Sequence, residues 1–158
     1  MVQHDHRYIM SGLLAGWDWF DNSLQNLVKG AGFKPLNKSQ SMMMLYVSAG
    51  VTRPVEIARK MRLSRQAIGH IAGQLIARGI LTMDDDPADG RSKILAFTVR
   101  SEELRIHAHR SVRRLEATLR ERLGAEDYDT LKRILSRDWG GVVAAPASKV
   151  PTPRRARG

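Results

Sequence analysis

The chain of 158 residues contains no cysteine. Disulfide bonds, thiolate metal sites and thiol-based peroxide sensing are therefore excluded. The sequence also lacks an apolar signal segment and any apolar run long enough to span a bilayer, which favours a cytoplasmic location. It has no Gly-rich phosphate loop, no nucleophile elbow and no evident pair of spaced carboxylates. The sequence therefore does not predict an enzyme, and no cofactor is expected.

The sequence has fewer acidic than basic residues. Lys and Arg number 26 against 16 Asp and Glu, which gives a formal net charge of +10. This excess favours a polyanionic partner, but ribosomal, nucleoid and membrane-surface proteins share it. The length predicts a single domain over residues 1–139. Residues 140–158 are rich in small residues, proline and arginine, and this composition predicts a disordered basic tail.

Two short amphipathic helices and a hairpin are predicted between residues 52 and 99. Thr52 before Pro54 predicts a helix capped by Thr52 that ends near Arg62. Ser64 is suited to cap a second helix that starts at Arg65. The second helix has an apolar stripe at Ile68, Ile71, Ala72, Leu75 and Ile76. Its opposite face is polar or small, with Arg65, Gln66, Gly69, His70, Gly73 and Gln74.

The hairpin follows directly. Gly79 is placed to close the second helix. Residues 80–83 and 93–99 are rich in β-branched and apolar residues and predict two strands. The link over residues 84–92 contains Asp-Pro and Asp-Gly pairs, so it is expected to project into solvent as the hairpin tip, with Arg91 near its end.

Residues 54–98 together resemble the winged helix-turn-helix of the MarR family of bacterial transcription regulators. The resemblance covers residues 36 to about 104. The family's wing pattern, Asp-x-Arg-Asp-x-Arg, is matched by Asp86, Asp89 and Arg91, whereas Ala88 replaces the first arginine. The resemblance implies a mainly α fold with a small β hairpin, the wing, and a winged helix-turn-helix over residues 36–100.

The flanking segments predict long helices. Residues 6–30 carry an apolar stripe that ends at glycine, and Asn37 with Gln40 fits a capping box that opens a helix through Val47. Ser101 is expected to cap a long helix that Gly124 closes, before a last helix over residues 125–139. By analogy with the family, residues 6–30 and 101–139 are dimerisation helices, because apolar stripes at both ends of a small chain need another surface to bury against.

Candidate DNA contacts lie at the start of the second helix. Arg65 and Gln66 have donors and acceptors able to read guanine and adenine, although either could contact phosphate alone. Ser64 and its neighbouring backbone donors are expected to anchor phosphate. His70 could contact a base or phosphate or be merely solvated. Gly69 would allow close approach of the helix backbone to DNA.

On the wing, Arg91 is expected to enter or flank the minor groove, with Lys93 as a second cation nearby. The alternative for Arg91 is an ion pair with Asp89 that stiffens the hairpin. Both roles can coexist.

Two further groups of residues are candidates for an effector cleft and for a metal site. Trp17, Phe20, Met43 and Tyr46 could line a cleft for a small aromatic or acidic effector of the type that MarR regulators bind, or they could be ordinary core residues. Imidazole and carboxylate groups suit zinc or nickel, but the spacing of the residues that carry them is unspecific and no metal site is predicted. Those residues are His4, Asp5 and His6, with His107 or His109 as further ligands.

These observations favour a homodimeric, sequence-specific regulator that binds a pseudo-palindromic operator in double-stranded DNA. By the family analogy it is a repressor released by an effector. The alternative is an architectural DNA-binding protein of low specificity, supported by the basic tail and the glycines of the second helix.

Overall fold

The computed structural model describes residues 8–145, which form six α-helices and one two-stranded sheet. The elements follow in the order α1 (Ile9–Gly30), α2 (Lys38–Ser48), α3 (Pro54–Met61), α4 (Arg65–Ala77), β1 (Leu81–Asp86), β2 (Asp89–Phe97), a 3₁₀ turn (Val99–Ser101), α5 (Glu102–Leu123) and α6 (Ala125–Leu135). The mainly helical fold with a hairpin wing is as predicted. None of the helices in this part of the chain is long and apolar enough to cross a membrane.

Helix α2 begins with the predicted capping box. The Asn37 side chain accepts a hydrogen bond from the Gln40 backbone N–H at 2.9 Å, and the Gln40 side chain accepts one from the Asn37 N–H at 3.2 Å. Two of the backbone donors at the helix start are thus satisfied reciprocally.

Helix α3 begins one residue later than a Thr52 cap requires, so that prediction was wrong. Pro54 is the first helical residue, Arg53 occupies the N-cap position, and no side chain caps the helix. The Thr52 carbonyl instead accepts a hydrogen bond from the backbone N–H of Leu95 in β2 at 2.9 Å. Thr52 is therefore used to join the hairpin to the helices. The helix ends at Met61, and the C-cap residue Arg62 has a left-handed φ of 53°.

Helix α4 has the predicted boundaries. The Ser64 hydroxyl accepts a hydrogen bond from the Ala67 N–H at 3.1 Å, and the helix runs from Arg65 to Ala77. Gly79 follows with a φ of 68°, a left-handed conformation that suits glycine. A side chain at this position would also meet Arg100, because a Cβ there would lie 3.1 Å from the Arg100 Cδ.

The hairpin is longer than predicted. Residues 84–86 and 89–92 are strand residues, so only Pro87 and Ala88 form the turn. The antiparallel register pairs Leu81 with Phe97 and continues regularly to Asp85 and Lys93, and then becomes irregular. The apolar composition therefore underestimated the length of both strands, because cross-strand hydrogen bonds extend the ladder into polar sequence.

Two further helix ends differ from expectation. Ser101 occupies the N-cap position of α5, but its side chain makes no capping hydrogen bond. The Thr98 hydroxyl instead accepts a hydrogen bond from the Ser101 N–H at 3.1 Å and caps the short 3₁₀ turn that precedes α5. Gly124 closes α5 as predicted, with a φ of 84°. Helix α6 ends at Leu135, so Trp139 lies beyond it rather than within it.

The hydrophobic core lies almost entirely in the segment from α2 to β2. Helix α4 is central to this segment, because α2, α3 and β1 all pack against it. The buried apolar residues of the core are Met43, Val47, Ile57, Ala58, Ile68, Ile71, Ala72, Leu75, Ile80, Leu81 and Leu95. Helix α1 packs along α5, and α5 packs against α6.

Candidate nucleic-acid interface

The start of α4 presents a polar face to solvent. Arg65, Gln66, Gly69 and His70 are all exposed, while Ile68 on the opposite side is fully buried. This division follows from the helical repeat, because residues three and four apart share a face. Four of the seven residues predicted to contact DNA therefore lie together on one accessible surface.

The start of α4 and the wing share one concavity. Its volume is about 410 Å³, and its lining includes Arg53, Arg65, Ser92 and Lys93. Lys93 of the wing and Arg65 of the helix therefore line the same concavity. The Lys93 ammonium is paired with the Asp85 carboxylate at 2.6 Å, and both groups are largely exposed.

The backbone, rather than an ion pair, ties Arg91 to Asp89. The Asp89 carboxylate accepts a hydrogen bond from the Ser92 hydroxyl at 2.7 Å and another from the Arg91 backbone N–H at 3.2 Å. These two bonds, that from Ser92 first, lower the pKa of Asp89. No ion pair joins the guanidinium of Arg91 to Asp89. The Arg91 side chain is exposed on the wing.

A buried carboxylate joins the wing to α3, which the sequence interpretation missed. Asp86, with a side chain 7% exposed, accepts a hydrogen bond from the Arg53 Nε at 2.7 Å and forms an ion pair with the same guanidinium. It also accepts a hydrogen bond from the Ala88 backbone N–H at 2.9 Å. The bond from Ala88 and then that from Arg53 lower the pKa of Asp86, and the pairing raises that of Arg53. Because Asp86 lay in the predicted solvent-exposed tip, the expectation that the whole link is solvated was wrong.

A second polar cluster connects α4 to the start of α2. Gln40 of α2 is 7% exposed and its amide nitrogen donates to the Gln74 side-chain oxygen at 2.9 Å. The Gln74 amide nitrogen lies 2.8 Å from His70 Nε2. Arg78, whose pKa is lowered by burial, donates hydrogen bonds to the backbone carbonyls of Lys34 and Pro35. Neither Gln40 nor Gln74 was among the predicted site residues, since only the fold brings α2 to α4.

A large apolar groove lies on the face formed by α1, α2, α5 and α6. Its volume is about 1690 Å³. Trp17 and Phe20, both proposed for an effector cleft, are in its lining. Met43 is fully buried in the core instead, and Tyr46 packs against the core without lining the groove. Of the four proposed cleft residues, the structure therefore brings only two together.

The groove carries many exposed apolar side chains. Ile9 is 81% exposed and Trp139 is 62% exposed. Other large apolar residues that line the groove and remain more than a third exposed are Leu13, Leu45, Ile106, Leu131, Ile134 and Leu135. So large an apolar surface is unusual for a chain that functions alone.

The residues weighed as metal ligands are not brought together in the part of the chain that can be described. His4, Asp5 and His6 lie outside the described residues, as does most of the predicted basic tail, residues 146–158. His107 donates a hydrogen bond from Nε2 to the Leu27 carbonyl at 3.2 Å and packs on the Phe33 ring. Within residues 8–145 no group of three or more His, Asp or Glu is arranged to hold a metal ion.

Several solved structures share this arrangement of elements. MarR from E. coli, in its apo form, is 17% identical with a TM-score of 0.62, and the match covers 81% of this chain and 94% of MarR. The transcriptional repressor CouR, bound to a 23-mer DNA duplex, is 24% identical with a TM-score of 0.62 over 81% of this chain and 89% of CouR. NadR in complex with 4-hydroxyphenylacetate is 20% identical with a TM-score of 0.62 over 85% of this chain and 94% of NadR.

The chain therefore has the winged helix-turn-helix fold of MarR regulators, in which β1 and β2 form the wing and α4 is the second helix of the helix-turn-helix. No protein-family model matches the sequence, and no curated protein matches it either. The likeness to the solved structures establishes the fold, and function has to be inferred from the site.

Proposed function

We propose that the chain is a MarR-type transcriptional regulator that binds double-stranded DNA sequence-specifically as a homodimer. One observation carries this proposal: the start of α4, with its exposed polar face, and the wing together line a basic concavity. A helix with one polar face, flanked by cations, can enter a major groove while its neighbours contact the phosphates. The similarity in fold to CouR bound to DNA supports the same orientation.

Each exposed residue then has a distinct role. Arg65 and Gln66 read base edges near the helix start, and the backbone donors after Ser64 hold a phosphate. Arg91 on the wing reaches the minor groove, and Lys93 contributes attraction to the backbone. Only the contacts to base edges carry sequence information directly.

The second copy of the chain is proposed to cover the apolar groove. Its volume of about 1690 Å³ exceeds the roughly 300–1,000 Å³ of a typical small-ligand pocket, and its lining comes mainly from four helices, α1, α2, α5 and α6. A two-fold axis through this face would place two copies of α4 in successive major grooves, about 34 Å apart. The expected operator is therefore pseudo-palindromic.

We further propose repression that is relieved by a small effector. Trp17 and Phe20 line the groove and offer apolar, aromatic surface to an aromatic or acidic molecule. NadR, similar in fold, is known in complex with 4-hydroxyphenylacetate. An effector bound there must favour the spacing of reading helices that does not fit DNA, because equal affinity for both spacings would leave DNA binding unchanged.

Selection of genomic DNA fragments by the purified protein, followed by footprinting, tests the proposal. We expect protection of discrete palindromic sites in the presence of competitor DNA. Uniform coverage of long fragments would instead support the architectural alternative, for which the basic tail and the glycines of α4 are the supporting features. Absence of binding to any duplex at low ionic strength would contradict both functions.

Two substitutions distinguish reading from anchoring. Arg91→Ala should weaken binding to all sequences and make the dependence of log affinity on log salt concentration shallower by about 1. Gln66→Ala should relax the preference at particular base positions by about 1–3 kcal/mol for a lost bidentate contact. The opposite pattern, in which Gln66→Ala changes only the salt dependence, would reassign Gln66 to the phosphates.

A further inference from the structure

A continuous chain of hydrogen bonds runs from the start of α2 to His70 on the reading face of α4. The Asn37 backbone N–H donates to the Gln40 side-chain oxygen at 3.2 Å. The Gln40 amide nitrogen donates to the Gln74 side-chain oxygen at 2.9 Å, and the Gln74 amide nitrogen lies 2.8 Å from His70 Nε2. Gln40 is buried, with 7% of its surface exposed, whereas Gln74 and His70 are exposed at the proposed DNA interface.

The orientation of the first amide is determined by groups that can only donate. The backbone N–H of Asn37 has no acceptor capacity, and neither has the guanidinium of Arg78, whose Nη1 lies 3.5 Å from the same Gln40 oxygen. The Gln40 oxygen must therefore point towards these two donors. Its NH₂ group is then left to face Gln74.

This orientation propagates to the imidazole. Gln74 must turn its oxygen towards the Gln40 NH₂, so its own NH₂ faces His70. A neutral imidazole has one protonated and one unprotonated nitrogen, and a ring nitrogen that faces an NH₂ donor must be unprotonated. His70 Nε2 is therefore the acceptor, and the proton of the neutral ring lies on Nδ1.

We propose that Gln40 and Gln74 are positioning residues that hold His70 in the Nδ1–H tautomer, so that the reading helix presents a hydrogen-bond donor to DNA. A donor at this position favours an acceptor such as guanine N7 or O6, or adenine N7. The opposite tautomer would present an acceptor and favour the exocyclic amines of cytosine or adenine. The reading role rests on the DNA-binding function proposed above, whereas the tautomer itself is a property of the free protein.

Nitrogen NMR of the full-length, DNA-free protein tests the tautomer. At alkaline pH, the chemical shifts of the two imidazole nitrogens show which one carries the proton. The signals of His70 are assigned by their loss in His70→Asn. We expect the protonated nitrogen to be Nδ1, although a neutral histidine side chain free in water favours Nε2–H. A predominantly Nε2–H signal in the wild-type protein would overturn the proposal.

The variant Gln40→Glu tests the relay, that is, the chain of hydrogen bonds from Gln40 through Gln74 to His70, without substituting Gln74 or His70. A glutamate at this position retains the capping box with Asn37, since Glu is as suitable there as Gln. Its carboxylate has no donor, so it would accept from the Gln74 NH₂ and turn the Gln74 oxygen towards His70. We expect the tautomer to switch to Nε2–H. An unchanged tautomer would contradict the relay.

Two leucine substitutions separate the relay from a general effect on the helix. Gln74→Leu removes the donor and should shift the tautomer ratio towards Nε2–H by about fivefold, the effect of one ordinary hydrogen bond on an equilibrium. Gln66→Leu removes a glutamine that also lies four residues from His70, and it should leave the ratio unchanged. Equal shifts in the two variants would overturn the assignment of Gln74.

The base preference of Gln40→Glu completes the test. With selected operator fragments, we expect the ranking of bases to change by about fivefold or more at one position in each half-site, while preferences at the other positions persist. A switched tautomer with an unchanged ranking would refute the reading role of His70. Absence of binding to any duplex by either protein would overturn the proposed function together with that role, while the tautomer measurement would still decide the relay.

Discussion

Two regions of the molecule differ in the exposure of their apolar side chains. One is the segment from α2 to β2, and the other consists of the helices α1, α5 and α6. In the first region, Ile68, Leu75 and Leu95 are fully buried within the chain. In the second, Ile9, Leu131 and Ile134, which line the apolar groove, are each more than a third exposed. The first region is thus complete within one chain, whereas the second displays an apolar face that the chain itself does not cover.

This difference matches the two tasks that the proposed function gives to the two regions. A helix that reads DNA needs a rigid support, and in the proposal α4 obtains it from α2, α3 and β1, which pack against it. The outer helices have a different task in the proposal, which is to fix the distance between two such supports. Their apolar residues are exposed in one chain because they are proposed to be buried in the dimer.

The largest expected effect comes from a charge in the groove. Leu135 lines the groove and is 47% exposed, so Leu135→Asp should fold but place an unpaired carboxylate in the proposed dimer interface. Loss of the second reading helix should weaken operator binding by about 10²–10⁴-fold. Analytical ultracentrifugation and binding titrations measure the two effects.

The matched control is Val99→Asp, which changes a residue that is 87% exposed and lies outside the groove lining. It should leave both the mass in solution and the affinity unchanged. A wild-type protein that is monomeric at working concentration would contradict the proposal that the apolar residues of the outer helices are buried in a dimer.

A pair of identical substitutions compares the regions directly. Ile68→Ala, in the fully buried core, should lower the free energy of unfolding by about 2–5 kcal/mol at any protein concentration. Ile134→Ala, at a residue 45% exposed on α6, should instead weaken dimerisation and alter the concentration dependence of unfolding. Urea titrations at several protein concentrations distinguish these outcomes. Equal, concentration-independent losses would contradict the comparison.

A smaller effect is expected at the two exposed glycines of α4. A Cβ at Gly69 or at Gly73 would meet nothing within 4 Å, so alanine at either position should stabilise the free protein by about 1 kcal/mol through helix propensity. If DNA approaches the start of the helix closely, Gly69→Ala should nevertheless weaken binding more than Gly73→Ala. Thermal unfolding and operator titrations of both variants provide the test, and equal affinities would remove Gly69 from the interface.

The smallest effect is expected from the ion pair that holds the wing. The lowered pKa of Asp86 means that its ionised form stabilises the folded state at neutral pH, and that this contribution is lost as the pH falls below the usual value of 3.8. Asp86→Asn should therefore lower Tm at neutral pH and reduce the further loss of Tm on acidification. Asp127→Asn removes a charge from the exposed first turn of α6 and serves as the control. An identical acid dependence in wild-type protein and Asp86→Asn would contradict the role of the pair.

Local signals predicted most of the helix boundaries. The Asn37 and Gln40 pair, the Ser64 cap and the glycines at 79 and 124 act on backbone groups only a few residues away, so their effects can be read from neighbouring residues. The polar face of α4 was predictable for the same reason, because it depends only on the helical repeat. The roles of its residues towards DNA stay predictions.

Distant partners account for most of what the sequence interpretation missed. Thr52 serves β2 rather than α3, and the Asp86 carboxylate is buried because Arg53, 33 residues away, pairs with it. Met43 is not among the misses, because its burial in the core is the alternative that the sequence interpretation left open. Composition alone could not distinguish a solvated aspartate from one that fastens the wing, because the partner is near in space and remote in sequence.

The order of the elements, the start and end of α4 and its division into apolar and polar faces were determined by the sequence itself, since short-range hydrogen bonds and the helical repeat decide them. The tertiary structure alone decided the length of the wing, the pairing of Arg53 with Asp86 and the chain of amides from Gln40 to His70. These features depend on groups brought together from separate elements, and a hydrogen bond or ion pair forms only within a few ångströms.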